Sequence, residues 1–263
     1  MGPMASRMTS PFGALVAVVA LTTGSGQASA DESSFWVTPG EIDGYEQKLF
    51  EASRLAEAAI RIENRAHDDI DAQEKASQLA ERAIKTLEAA SALRPDEALP
   101  HYRITFIIEN LFAQGPNTPR HRLVQQVRHL DAVIEKDPLH FDLNSMYFTR
   151  SIALTKLGGK DNLLKAVADY DRSLQMYDPS STYSYTLDSI ATRESNRAEL
   201  LMALGRLDEA IQGYEDSLQH KDDPLYGYGL AVALDRDGQK ARAREVMKHY
   251  AQRDGSKGKT LTK

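Results

Sequence analysis

The sequence predicts an all-α chain, a solenoid of antiparallel helix pairs. Apolar residues recur at helical spacing, and no segment shows the period-2 alternation of a strand. Short turns carrying Pro, Gly and Asp separate the helical stretches. The second half of the chain also repeats itself, the mark of a stacked architecture.

The chain has 263 residues, 41% hydrophobic and 27% charged, with a formal net charge of −6. That composition suits a packed domain or a solenoid, whose core grows along its length. The mild acidic excess argues against a nucleic-acid partner, which would call for concentrated Lys and Arg. No stretch reaches the roughly 18 apolar residues that a membrane-spanning helix needs.

The first element is a targeting signal. Arg7 supplies a positive charge, an apolar run follows from Pro11 to about Thr23, and Ala28-Ser29-Ala30 fits an A-x-A cleavage site. The mature chain then begins at Asp31, with no membrane span, in the periplasm or secreted. No cysteine is present, so packing without disulfides must hold the fold. It also removes thiol catalysis and thiolate metal sites.

Thr38-Pro39-Gly40-Glu41 carries a cap, an N1 proline and a capping-box carboxylate. The helix it opens continues through Leu49, Phe50, Leu55, Ala56, Ala59 and Ile60. A second helix spans about 71–93, with Leu79, Ala83, Leu87 and Ala90 on one face and Pro95 after its end.

Self-comparison organises the rest. Asn196-Arg197-Ala198, Leu201, Leu204-Gly205, Ala210, Tyr214 and Ser217 match Thr149-Arg150-Ser151, Leu154, Leu157-Gly158, Ala166, Tyr170 and Ser173, with three extra residues between Gly158 and Ala166. A third copy has Tyr228, Leu230-Ala231, Leu234, Gly238, Ala243, Met247 and Tyr250, and the steps Gly205 to Gly238 and Ala210 to Ala243 are both 33. Small residues belong where two helices approach closely, and Leu and Tyr fill the space between them. Gly205 and Gly238 end first helices in a left-handed conformation, and Pro179 and Pro224 separate the pairs. Two looser units precede these. One ends with Ala83, Leu87, Ala90 and Pro95 behind a poor first helix through His67 and Ile70. The other runs from Ala98 to Pro138, with Gln126 in a small-residue slot and an extra segment at 114–119.

This pattern resembles the tetratricopeptide repeat (TPR). The expected organisation is a cleaved signal (1–30), an N-terminal segment with a long helix (31–66), about five repeat units (67–252, the last three clearest) and a flexible tail (253–263). Arg150 and Arg197 stand in an inward slot usually held by an aliphatic residue, and Asp169 on the facing helix predicts an Arg150–Asp169 ion pair.

The resemblance implies a right-handed superhelix whose first helices line a concave groove that takes peptides. Groove candidates at i, i+4, i+7 spacing are Phe148, Ile152 and Thr155, then Ser195, Glu199 and Met202, then Tyr228, Val232, Asp235 and Arg236. Family members that clamp a terminal carboxylate present Lys, Arg and Asn there. Ser195, Glu199 and Asp235 depart from that set, so a segment of apolar and basic character fits better.

Catalytic signatures are wanting. The seven histidines form no i, i+4 pair. Asp235-Arg236-Asp237-Gly238 would need calcium ligands at Ala233 and Arg244, which cannot serve. Ser256-Lys257-Gly258-Lys259 lies in the tail without partner motifs. Gly227-Tyr228-Gly229 lacks the strand and third glycine of a dinucleotide loop. Asp68-Asp69 and Asp222-Asp223 suit helix caps. The expectation is a non-enzymatic scaffold of the cell envelope that binds a protein or peptide and uses no cofactor or metal. The alternatives are an accessory domain or enzyme acting on an envelope polymer, and a structural protein that self-assembles through its terminal repeats.

Overall fold

The computed structural model describes residues 43–65, 69–112, 118–140, 142–177 and 187–253. All belong to the larger of two compact units, Asp43–Lys263. The signal segment, the Thr38–Glu41 cap, His67, Asp68, Pro179 and the tail from 254 lie outside the described residues.

The described chain is a succession of ten helices: α1 (Gly44–Arg65), α2 (Ile70–Leu93), α3 (Leu99–Leu111), α4 (Arg120–Lys136), α5 (Leu143–Leu157), α6 (Lys160–Gln175), α7 (Leu187–Ala203), α8 (Leu207–His220), α9 (Pro224–Arg236) and α10 (Lys240–Arg253). Consecutive helices pair as five hairpins, α1/α2 to α9/α10, and each hairpin stacks on the next. The result is an all-α solenoid.

The long helix placed before the repeat units, in the segment 31–66, is the first half of the first hairpin. Ala52, Ala56 and Ala59 of α1 and Ala76, Ala80, Ala83 and Ala90 of α2 are all buried, with Leu49, Ile84 and Leu87 between them. Side chains this small let the two helices approach closely over many turns, and both helices are longer than their counterparts downstream. The unit therefore opens on α1, not on the stretch through His67 and Ile70. Asp69 caps α2, its Oδ1 accepting from the Asp71 and Ala72 amides at 3.0 and 3.2 Å. Asp43 accepts the Glu46 amide at 2.9 Å and also pairs with Arg94 beyond the end of α2, closing the hairpin at its open end.

In the last three units the small slots are filled as the repeat requires. Ser151, Ala166, Ser173, Ala198, Ala210, Ala231 and Ser217 are buried, against Leu154, Tyr170, Leu201, Tyr214 and Leu234. Gly205 and Gly238 have φ of 77° and 86°. The Arg206 and Gln239 amides reach back to Leu201 O and Leu234 O at 2.9 Å each, so both first helices end in a Schellman turn. Gly227 and Gly229 have a packing role. The Tyr250 ring lies against Gly227 and the Tyr214 ring against Gly229, where a Cβ would overlap them. Asp223 caps α9 by accepting the Leu225 amide at 3.0 Å, with Pro224 in its first turn.

The last hairpin is finished differently from the others. Lys240, Arg244, Met247 and Ala251 of α10 fall where α8 has Leu207, Ile211, Tyr214 and Leu218. In α8 that face packs under the next hairpin. In α10 it carries Lys240 and Arg244, both exposed.

Candidate partner-binding face

First helices of neighbouring hairpins lie side by side. Arg103 of α3 donates to Leu49 O and Ser53 Oγ of α1 at 3.1 and 2.9 Å. Thr192 of α7 and Tyr226 of α9 share a hydroxyl contact at 3.1 Å. The face these helices present together is where the sequence candidates fall.

Those candidates divide into two sets. Phe148, Ile152, Thr155, Ser195, Met202 and Tyr228 are half-buried, whereas Glu199, Val232, Asp235 and Arg236 are exposed. Phe148 meets Tyr170 edge-on, with ring centroids 6.0 Å apart, and the Arg193 guanidinium lies 4.5 Å above its ring. Met202 packs against two core clusters, those of the third and fourth hairpins and of the fourth and fifth. Thr155 donates its hydroxyl to Ser151 O at 2.7 Å, which removes a free donor from the face. Tyr228 stands edge-on to Tyr250 at 6.4 Å. The half-buried set thus forms the floor, and Glu199, Asp235 and Arg236 of the exposed set offer charge.

The structure adds residues that sequence reasoning missed. Tyr102, Phe106 and Glu109 of α3 continue the face at the same i, i+4, i+7 spacing. Glu109 touches solvent, yet burial among the surrounding helices and the nearby Asp142 carboxylate both push its pKa up. Burial likewise raises Asp142. The central cations turn inward: Arg103 to α1, and Arg193, 3% exposed, onto Phe148. Glu109, Glu199 and Asp235 carry no ion pair among the described residues, with Lys156 and Arg236 at the helix ends. Beneath the face, burial and Asp216 push Glu194 up to about 7, and its Oε2 is buried without a hydrogen bond.

Away from this face, the predicted ion pair is present and larger than expected. Arg150 Nε and Nη2 donate to the two Asp169 oxygens at 2.8 and 2.7 Å, and Nη1 donates to Asp131 at 2.6 Å. One guanidinium therefore ties α5 to its own partner α6 and to α4 of the preceding hairpin. Arg197, one unit on, donates to Asp171 at 2.5 Å across the equivalent junction.

Beside the ion pairs Arg122–Glu81 and Arg128–Glu88 that join the first two hairpins, a neutral chain of hydrogen bonds runs through the second hairpin to Ser91 of the first. His101 and His129 face each other through Nδ1 atoms 2.8 Å apart. Arg128, always a donor, reaches His129 Nε2 at 3.1 Å, so that nitrogen must accept. His129 Nδ1–H then donates to His101 Nδ1, and His101 Nε2–H donates to Ser91 Oγ at 3.1 Å. Only neutral rings complete this chain. Burial holds His129 down at about 3 and lowers His101 as well.

Neither the family models nor the curated proteins contain a match to this chain. Solved structures do match. The MamA protein superposes with a TM-score of 0.53 at 14% identity, over 80% of this chain and 98% of that one. MamA from residue 41 onward of Desulfovibrio magneticus RS-1 gives 0.52 at 14%, over 77% and 96%. YrrB, described as a TPR protein with an unusual peptide-binding site, gives 0.52 at 14%, over 76% and 94%. At this identity the correspondence is one of fold: the chain is a TPR-type α-solenoid.

Proposed function

We propose that this TPR-type solenoid is a non-enzymatic scaffold that holds a segment of another protein along its first-helix face. The observation that carries the reading is the makeup of that face. Half-buried apolar and aromatic side chains form a floor from Tyr102 through Phe148, Ile152 and Met202 to Tyr228, with exposed Val232 beside it. Around it, Glu109, Glu199 and Asp235 stay free while the central arginines are turned inward. A floor of this kind supplies contact area, and unpaired carboxylates supply orientation. The partner segment is apolar with Lys or Arg. YrrB, of the same fold, is a peptide binder by its own description, which makes a peptide role a natural one here.

The place of action is the cell envelope, periplasmic or secreted. This rests on Arg7, the apolar run to Thr23 and Ala28-Ser29-Ala30. No described helix is long and apolar enough to cross a membrane. Sequencing the N-terminus of the exported protein checks the leader, with Asp31 the expected first residue.

The binding test uses exposed positions, so that the fold is left alone. Glu199→Lys, Val232→Asp and Asp235→Lys are combined and compared with wild type in affinity capture from envelope extract. Proteins retained by wild type should be lost by the variant while its melting profile is unchanged. Retention of the same proteins by both would remove the first-helix face from the mechanism.

A further inference from the structure

The first-helix face does not carry its charge evenly. On α3 the trio Tyr102, Phe106 and Glu109 ends in a carboxylate, and on α7 the trio Ser195, Glu199 and Met202 has one at its centre. Glu109 and Glu199 are both exposed, and neither has an ion pair among the described residues. Burial and the nearby Asp142 both push the Glu109 pKa up, the condition of a carboxylate that lacks a cation. Between these helices α5 is apolar. Phe148 and Ile152 are half-buried, and the Thr155 hydroxyl is taken by Ser151 O. Lys156, past that trio, reaches Thr118 of the preceding hairpin at 3.5 Å. The three helices thus read acid, apolar, acid. The series stops there, because on α9 Arg236 directly follows Asp235.

The three helices are neighbours. Tyr102 of α3 packs against the cluster that holds Met146 of α5, and Arg193 of α7 lies over Phe148 of α5. Packed helices stand about 8–10 Å apart, which puts Glu109 and Glu199 about 20 Å from each other. A polyproline II strand turns once in about three residues and advances about 9 Å in doing so, one helix spacing. Every third side chain then points the same way, one to each helix. A β-strand alternates its faces and would aim the middle side chain off the floor. An α-helix would need about 13 residues for the same span. We infer, on the footing that this face holds the partner segment, that the segment crosses it as a polyproline II strand with two Lys or Arg side chains about six residues apart, one at Glu109 and one at Glu199, and a large apolar side chain midway on Phe148 and Ile152.

The test is an amide-shift titration of the isotope-labelled full chain with acetyl-Lys-Ser-Pro-Leu-Ser-Pro-Lys-amide. Its prolines favour polyproline II and exclude a helix. Glu109, Ile152 and Glu199 should shift. Moving the leucine one place, in acetyl-Lys-Ser-Pro-Ser-Leu-Pro-Lys-amide, should weaken binding roughly ten-fold. Glu109→Gln and Glu199→Gln should each weaken it roughly three-fold. Changing one terminal lysine of the peptide to glutamate should be rescued by Glu109→Lys, and changing the other by Glu199→Lys, which also gives the direction of the segment. Equal binding of the two leucine positions, or rescue by neither reversal, overturns the register while the face itself still binds. Shifts that are absent or fall elsewhere overturn it too, and the capture experiment with the exposed-position variant then tells whether the reading of the face falls with it.

Discussion

Arg150 and Arg197 occupy one slot in two successive hairpins and end in different circuits. Both cross to an acid on the preceding hairpin, Asp131 and Asp171, which stand in equivalent places on α4 and α6. Only Arg150 also bonds within its own hairpin, because Asp169 faces it there. The counterpart of Asp169 in the next unit is Gly213. A Cβ on Gly213 would come within 3.1 Å of the Ala198 Cβ, so the fourth hairpin closes tightly on its glycine and has no carboxylate to offer. The inter-hairpin pair is thus the recurring device that sets stacking register. The intra-hairpin pair is a local elaboration, and it accompanies the three extra residues between Gly158 and Ala166.

Removing the acid from each circuit should break this comparison most visibly. Asp169 is 6% exposed in its side chain, whereas Asp171 is 40% exposed. Asp169→Ala strands a mostly buried guanidinium with one remaining partner, and urea unfolding should show a loss of about 3 kcal/mol, the lower end for breaking a buried pair. Asp171→Ala at the other junction should cost less than about 1 kcal/mol. Equal losses would mean that the two circuits carry the same weight.

At the next junction along, where Arg242 of α10 pairs with Glu215 of α8, the tightest constraint is one of shape. Gly229→Ala would drive a methyl into the Tyr214 ring at the fourth and fifth hairpins. Overpacking should outweigh the gain in helix propensity and destabilise by about 2 kcal/mol, seen as an earlier urea midpoint.

The junction of the first two hairpins sharpens the contrast through pH. The folded state keeps His129 neutral down to about 3, whereas the unfolded chain takes up a proton near 6.5. The unfolded state therefore binds more protons between these values. Stability from this group is complete above about pH 6.5 and falls as pH drops toward 3, by about 1.4 kcal/mol per pH unit. Glu194 acts in the opposite sense, being protonated in the fold up to about 7. The measurement is therefore the difference between wild type and His129→Gln. Its slope between pH 6 and 4.5 should differ by about one proton, and parallel curves would show that the histidine chain carries no linkage.

Much of this was legible in one dimension. Gly205 and Gly238 announced their left-handed turns, and the small slots at Ala198, Ala210 and Ser217 announced close packing. Asp169 announced its pairing with Arg150, because the repeat places the two on facing helices. Other features were hidden for definite reasons. The pairing of α1 with α2 escaped notice because both helices overrun the repeat template, and only their shared alanine faces reveal them as partners. The face of α3 escaped because Gln126 and the 114–119 segment blur the unit that contains it. His101 and His129 are 28 residues apart, and no spacing rule joins them. Among the groove candidates, sequence could not separate floor from rim: Phe148 and Met202 share their spacing with Glu199 and Val232, and only packing distinguishes them.

The sequence by itself determined the helices, their pairing in the last three units, and which ends carry left-handed glycines. Those depend on neighbours within a turn or a hairpin, where residue type and spacing are sufficient causes. Tertiary structure alone decided which arginine finds two acids and which carboxylates remain unpaired on the first-helix face. Each of those is settled by the contact between hairpins, where one glycine in place of an aspartate, or three extra residues in a turn, changes what can reach across.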